Sequence, residues 1–143
     1  KCAIDLGIAM QLTNIARDVV EDKKRNRAYI NHNFNSIKET IDEAETFYNS
    51  SFSAIKSIPI VSRFSIIVAR RVYKKIGTKI LKQKNLDNYN NAGKIYISNF
   101  SKIIETFLSF FDLVKLFFIS SKEHLKQNEF KMLNEEINLD ERI

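Results

Sequence analysis

Gln11-Leu12-Thr13-Asn14-Ile15-Ala16-Arg17-Asp18-Val19-Val20-Glu21-Asp22 is the stretch on which the reading of this chain turns. Apolar residues recur at spacings of three and four through Ile8, Leu12, Ile15, Ala16 and Val19, the pattern of a helix with one buried face. Wound at 3.6 residues per turn, Gln11, Asn14, Asp18 and Asp22 fall within a stripe about 80° wide beside that apolar arc. Residues four apart rise by only about 6 Å, so Asp18 and Asp22 repel each other unless cations lie between or beside them. Two carboxylates and an amide oxygen suit a hard cation such as Mg²⁺, which takes one or two carboxylates and fills its shell with water and substrate phosphate. The plain alternative is a solvated helix face, because Asp-x-x-x-Asp spacing alone is common. Two features weigh against it. Exposed faces are ordinarily built from Lys, Glu and Arg, whereas Asn and Asp are poorer helix formers. Arg17, Lys23, Lys24, Arg25 and Arg27 also lie close by, the counter-charge a diphosphate needs.

Outward from this stretch the whole chain reads as helical. Among 143 residues there are three Gly and one Pro, too few turn formers for a many-stranded sheet, so the fold class is all-α. The first helix is expected over about residues 3–23, followed by a basic, Asn-containing connection over 24–35. A second helix runs from about residue 36 with Ile37, Ile41, Ala44, Tyr48, Phe52 and Ile55 inward, and stops before Pro59. A third, over 60–82, sets Phe64, Val68, Val72, Ile76 and Ile80 inward and leaves Arg70, Arg71, Lys74, Lys75, Lys79 and Lys82 largely outside. Residues 83–93 read as an Asn-rich loop. The last helix, about 100–122, is the most apolar. It is broken by Glu105, Asp112 and Lys115, so it falls short of a membrane span and is expected in the core or at an interface. Residues 1–128 form one domain with a polar tail over 129–143. The first residue, Lys1, already reads as helix interior without a start signal, so the sequence is expected to begin mid-protein.

A formal charge of +6 points to an anionic partner: phosphate, a membrane surface or nucleic acid. Nucleic acid is suggested by charge alone and is the weakest of the three. The basic third helix could touch anionic lipid, although a solvated charged face is the plainer reading. The single cysteine, Cys2, can form no internal disulfide, which fits a reducing, cytoplasmic setting with at most peripheral membrane contact. His32 and His124 lack ligand spacing and read as surface or loop residues.

Asp5-Leu6-Gly7-Ile8-Ala9-Met10 leading into the string quoted above, followed by Arg27 and Tyr29, resembles the second aspartate-rich motif of the squalene/phytoene synthase family. The resemblance runs on more weakly through Glu43-Ala44 to Tyr48, Pro59 to Arg63, Ala69-Arg70-Arg71-Val72-Tyr73, Ile76-Gly77, Lys94, Tyr96-Ile97-Ser98 and Lys102, and so covers residues 1 to about 102. It implies the C-terminal portion of an isoprenoid-synthase helical bundle, with Asn14, Asp18 and Asp22 as ligands of Mg²⁺, or of Mn²⁺ in its place. Gln11 and Arg17 would position the diphosphate, Arg27 and Tyr29 would belong to a flap over it, and Tyr73 would line the prenyl pocket, with plain core packing an equal reading for that ring.

The implied reaction joins two prenyl diphosphates head to head. One allylic diphosphate ionises, the second chain attacks to give a cyclopropyl intermediate, and a second ionisation and rearrangement follow. The string is more like that of bacterial phytoene synthases, implying two geranylgeranyl diphosphates and carotenoid biosynthesis. A squalene-type enzyme using farnesyl diphosphate, or a non-catalytic helical relative serving as an assembly factor, are the alternatives. The oligomeric state is open, and no nucleotide motif speaks for NADPH. The chain departs from the family pattern at Asn26, Asn31 and Lys94, where Gly, Pro and Arg are common. The family's first aspartate-rich motif has no counterpart, so the 143 residues alone are expected to be inactive.

Overall fold

Short polar side chains set where the helices begin. Asn33 Oδ1 accepts from the Ser36 amide at 2.7 Å, Asn85 Oδ1 from the Asn88 amide at 2.8 Å, and Ser98 Oγ from the Ser101 amide at 3.2 Å. Each satisfies a backbone donor that has no partner in a first helical turn. The computed structural model describes residues 2–119. The elements are α1 (Cys2–Lys24), α2 (Phe34–Phe52) running into a 3₁₀ turn (Ser53–Ser57), α3 (Ile60–Leu81), α4 (Leu86–Asn91) and α5 (Asn99–Phe118). The described residues contain no strand, and the class is all-α. No helix among them is long and apolar enough to cross a membrane.

Helix α1 packs chiefly on α2 and also on α3, and α3 in turn carries α5. The stripe of α1 that is fully buried is Asp5, Ala9, Thr13, Ala16 and Val19. Ile8, Leu12 and Ile15, expected at the centre of the apolar face, are only half-buried beside it. Small residues at the seam explain the rotation: Ala9, Thr13 and Ala16 let α2 come close, and the larger chains flank the contact. One core cluster joins Ala16 and Val19 to Ile37, Ile41, Ile76, Ile80, Tyr89, Ile95 and Ile97; a second joins Ala9 to Ala44, Phe47 and Tyr48, with Tyr73 packed against it. Gly77 sits at the closest approach of α3 to α2, where a Cβ would lie 3.3 Å from Ile41 Cγ2.

Two expectations are corrected, and of the two readings of the last helix the core one is set aside. Residues 83–93 are not all loop, because Asn85 caps the short helix α4. Arg70, counted with the outward basic cluster, is buried: its Nε and Nη2 donate to the Tyr48 carbonyl at 3.0 and 2.9 Å, and its guanidinium stacks 4.6 Å above the Phe52 ring. It serves the negative C-terminal end of α2. Helix α5 is turned the other way from a core helix. Glu105, Ser109 and Leu116 face inward, while Phe100, Phe107, Phe110, Phe111, Phe117 and Phe118 are exposed. The inward face is paired by charge: Arg71 donates to Glu105 at 2.9 Å and Asp112 at 2.7 Å, and Lys75 stands 3.3 Å from Glu105. Residues 120–143, which include the end expected for this helix, the polar tail and His124, lie outside the described residues.

Removing one member of a buried ion pair strands the other. Arg71→Met leaves Glu105, whose side chain is 6% exposed, with Lys75 alone. It should destabilise the chain by about 2–3 kcal/mol in urea denaturation, below the ~3–5 kcal/mol of a fully orphaned buried charge because Lys75 stays in place.

Candidate functional site

The second half of α1 carries Asn14, Arg17, Asp18 and Asp22, the groups at the centre of the functional reading. Its end is fixed by a paired hydrogen-bond pattern: the Asn26 amide donates to the Lys23 carbonyl at 3.1 Å and the Arg27 amide to the Asp22 carbonyl at 2.9 Å. That motif demands a left-handed residue at the first position beyond the cap. Asn26 takes it, with φ 57°, and Asn is among the few non-glycine residues that do so readily. The departure from glycine therefore keeps the turn, which carries the chain back past Asp22 through Arg27 and Tyr29.

Asp18 is the most heavily engaged carboxylate of the stripe. Arg17 grips it with two hydrogen bonds, Nε to Oδ1 at 2.9 Å and Nη2 to Oδ2 at 2.7 Å, and Lys94 Nζ lies 3.4 Å from Oδ1. Lys94 donates more closely to Glu21 Oε2, at 2.7 Å, while Arg25 holds Glu21 Oε1 at 2.9 Å. Burial pushes the Asp18 carboxyl up, but the hydrogen bonds and charge of Arg17 together with the charge of Lys94 outweigh it, and the group sits below the ordinary carboxylate value. Lys94 is held above its usual value, first by its hydrogen bond to Glu21.

Two features bring Lys94 to α1 from 73 residues away. Gly93, at φ +63°, turns the chain at the end of α4 into the non-helical segment 94–98. The Tyr89 hydroxyl on α4 donates to the carbonyls of Ala16 and Arg17 at 2.9 and 2.8 Å, and burial pushes that phenol up to about 12. Further along α1, Thr13 Oγ1 donates to the Ala9 carbonyl at 2.8 Å and meets the Tyr48 hydroxyl at 3.0 Å, which ties the helix to α2.

The expected site residues do not all meet. Asp18 and Arg17 line a depression of ≈ 500 Å³ together with Glu21, Lys24, Arg25 and Lys94. Asp22 lines a separate cleft of ≈ 190 Å³ with Arg27, Tyr29 and His32. Asn14 is half-buried, and its Oδ1 is buried without a hydrogen-bond partner among the described residues. Gln11 is exposed, and Tyr73 is half-buried on the core cluster of Ala9 and Tyr48. His32 bridges the loop to α4, with Nε2 3.1 Å from Asn90 Oδ1 and Nδ1 3.5 Å from Lys23 Nζ. Among the described residues no three His, Cys, Asp or Glu side chains are placed to hold a metal ion. The donor set is an amide oxygen and two carboxylates. It fits a cation that draws much of its shell from water and phosphate, and the unpartnered Asn14 oxygen is the atom such a ligand would satisfy.

Sequence reasoning missed Glu21 and Tyr89. Glu21 stands in the quoted stretch with no role assigned to it, and its role depends on Lys94 arriving from far along the chain. Tyr89 sat in what read as loop; a lone aromatic among asparagines was the signal available. Tyr89→Phe removes the hydroxyl that grips α1 and leaves two carbonyls without that donor. It should cost about 1–2 kcal/mol in chemical denaturation.

Residues 1–33 match the family model described as Squalene/phytoene synthase. The chain is 33% identical over 100 residues to the 15-cis-phytoene synthase of Enterobacter agglomerans, covering 55% of this chain and 34% of that protein. It is 34% identical over 98 residues to the 15-cis-phytoene synthase of a Paracoccus species, covering 56% and 32%. To the chloroplastic phytoene synthase of an Oncidium hybrid cultivar it is 31% identical over 124 residues, covering 71% and 29%. The chain thus spans about a third of the length of the curated relatives it matches, and no solved structure matches it. The stretch matched by the family model is α1 with the loop behind it, the same stretch that holds Asn14, Asp18, Asp22, Arg27 and Tyr29, and it is there that the chain is similar to squalene/phytoene synthases.

Proposed function

We propose that this chain supplies one wall of the active site of a head-to-head prenyltransferase of the phytoene synthase type, acting on two molecules of geranylgeranyl diphosphate. The observation that carries the reading is the α1 stripe: a buried amide oxygen of Asn14 with no hydrogen-bond partner among the described residues, in helical register with the carboxylates of Asp18 and Asp22. These three would hold Mg²⁺, or Mn²⁺ in its place. When bound, the metal stabilises the charge that gathers on the departing diphosphate. Arg17 and Lys94, already at Asp18, and Arg27 beside Asp22 offer the cationic groups that bind and orient the diphosphate oxygens. Tyr29, 60% exposed on the loop behind α1, is free to cover the bound group, and Gln11 stands exposed one turn before Asn14. Tyr73, which packs with Ile8 and Leu12 against the same core cluster, would contribute apolar surface that keeps water from a carbocation. For peripheral membrane contact, apt for so greasy a substrate, the exposed phenylalanines of α5 are better suited than α3, whose Arg70 and Arg71 are turned inward.

The test is a graft of this chain in place of the matching segment of the Enterobacter agglomerans enzyme. With Mg²⁺ and geranylgeranyl diphosphate the graft should yield phytoene, and Asp18→Ala or Asp22→Ala should each lower kcat by about 10²-fold or more, the scale of a lost metal ligand. A folded graft with no product would point to a non-catalytic relative. Turnover of farnesyl diphosphate in preference would shift the reading to the squalene type, and undiminished synthesis after Asn14, Asp18 and Asp22 are all replaced by Ala would refute the assignment of the site.

A further inference from the structure

Glu21 belongs to neither the metal stripe nor the substrate wall, yet both of its oxygens are occupied. Oε1 takes Arg25 at 2.9 Å and Oε2 takes Lys94 at 2.7 Å. The same Lys94 ammonium stands 3.4 Å from Asp18 Oδ1, longer than the 2.7–2.9 Å or so of a well-formed ammonium–carboxylate hydrogen bond. One cation is therefore shared unequally between two carboxylates a turn apart on α1. Glu21 has the stronger claim, and Asp18 has its other contact from Arg17.

We infer that Glu21 is a positioning residue that holds Lys94 at the edge of Asp18, so that Lys94 serves as the resident counter-ion of Asp18 and is drawn off onto Glu21 when a divalent cation binds. This rests on the reading of Asp18 as a metal ligand. The reasoning is one of competition. A cation at Asp18 and a divalent ion cannot both be close to the same carboxylate without mutual repulsion, and at contact distances in a half-exposed site that repulsion is large enough to govern affinity. Arg17 is fixed by two hydrogen bonds to its sequence neighbour, whereas Lys94 makes one long contact to Asp18 and one short contact to Glu21. Lys94 is accordingly the cation that can leave with little rearrangement, and Glu21 is the group that receives it.

The experiment is a double-mutant cycle on Mn²⁺ binding by this chain grafted in place of the matching segment of the Enterobacter agglomerans enzyme, read from the paramagnetic resonance signal of the free ion. Lys94→Met keeps the aliphatic stem and should tighten Mn²⁺ binding by roughly five- to fifteen-fold, the scale of removing one nearby like charge in a partly solvated site. Glu21→Gln frees Lys94 to settle on Asp18 and should weaken binding. In the Lys94→Met background that weakening should vanish, because there is no longer a cation for Glu21 to hold. Lys94→Arg keeps the charge and should not tighten binding. The inference is overturned if Lys94→Met fails to tighten binding, if Lys94→Arg tightens it equally, or if the effect of Glu21→Gln persists without Lys94, since a general field effect of the carboxylate would do that. Asp18→Asn separates this from the underlying reading. Should that variant bind Mn²⁺ like the unmodified graft, or should the unmodified graft take up none, the metal assignment of Asp18 itself fails.

Discussion

A carboxylate taken partly out of water must be met by positive charge, and at Asp18 that requirement organises the surrounding chain. Arg17 meets it locally and Lys94 from a distance. The distant partner is the demanding one, because it requires that α4 be docked, that Tyr89 hold the carbonyls of α1, and that Gly93 turn the chain back toward the helix. The pairing of Lys94 with Asp18 and Glu21 thus joins the burial of Tyr89, Ile95 and Ile97 in giving the six-residue helix and the left-handed glycine after it a place in the fold.

The same logic governs the opposite side of α3. Arg71 and Lys75 draw Glu105 and Asp112 inward, and a helix cannot turn two acidic groups toward its neighbour without turning something else away. In α5 that is a ridge of phenylalanines. Burial of apolar surface ordinarily decides which face a helix turns inward. Here the face turned to α3 is the one that carries Glu105, Asp112 and Leu116, and among the described residues the phenylalanines stay exposed.

The course of α1 was legible in the sequence, since both the apolar spacing and the Asn14, Asp18, Asp22 stripe are local properties of one helix. The turn at Asn26 was legible only as a departure from glycine, and the left-handed tolerance of asparagine explains why the departure is harmless. What could not be read were contacts made across the chain. Arg70 looks like a surface residue to any periodicity argument, and its burial depends on where the α2 carbonyls end. The phenylalanine pattern of α5 says that one face is apolar but not which way it points. Asp22 and Asp18 share a stripe in projection yet open into different depressions, because the loop behind α1 lies on one side and α4 on the other.

The bridge from Tyr89 and Lys94 to α1 spans more than seventy positions of chain. Closing so long a loop costs entropy that must be lost before the contact returns anything, so such pairings tend to form late in folding. Helix α1 can assemble with α2 early from neighbouring sequence, but the charge arrangement around Asp18 comes into being only when the last third of the described chain has docked. A ribosome-bound product ending before residue 94 would carry Asp18 with Arg17 as its single cation and leave Glu21 to Arg25 alone, an acidic stripe short of its distant counter-charge.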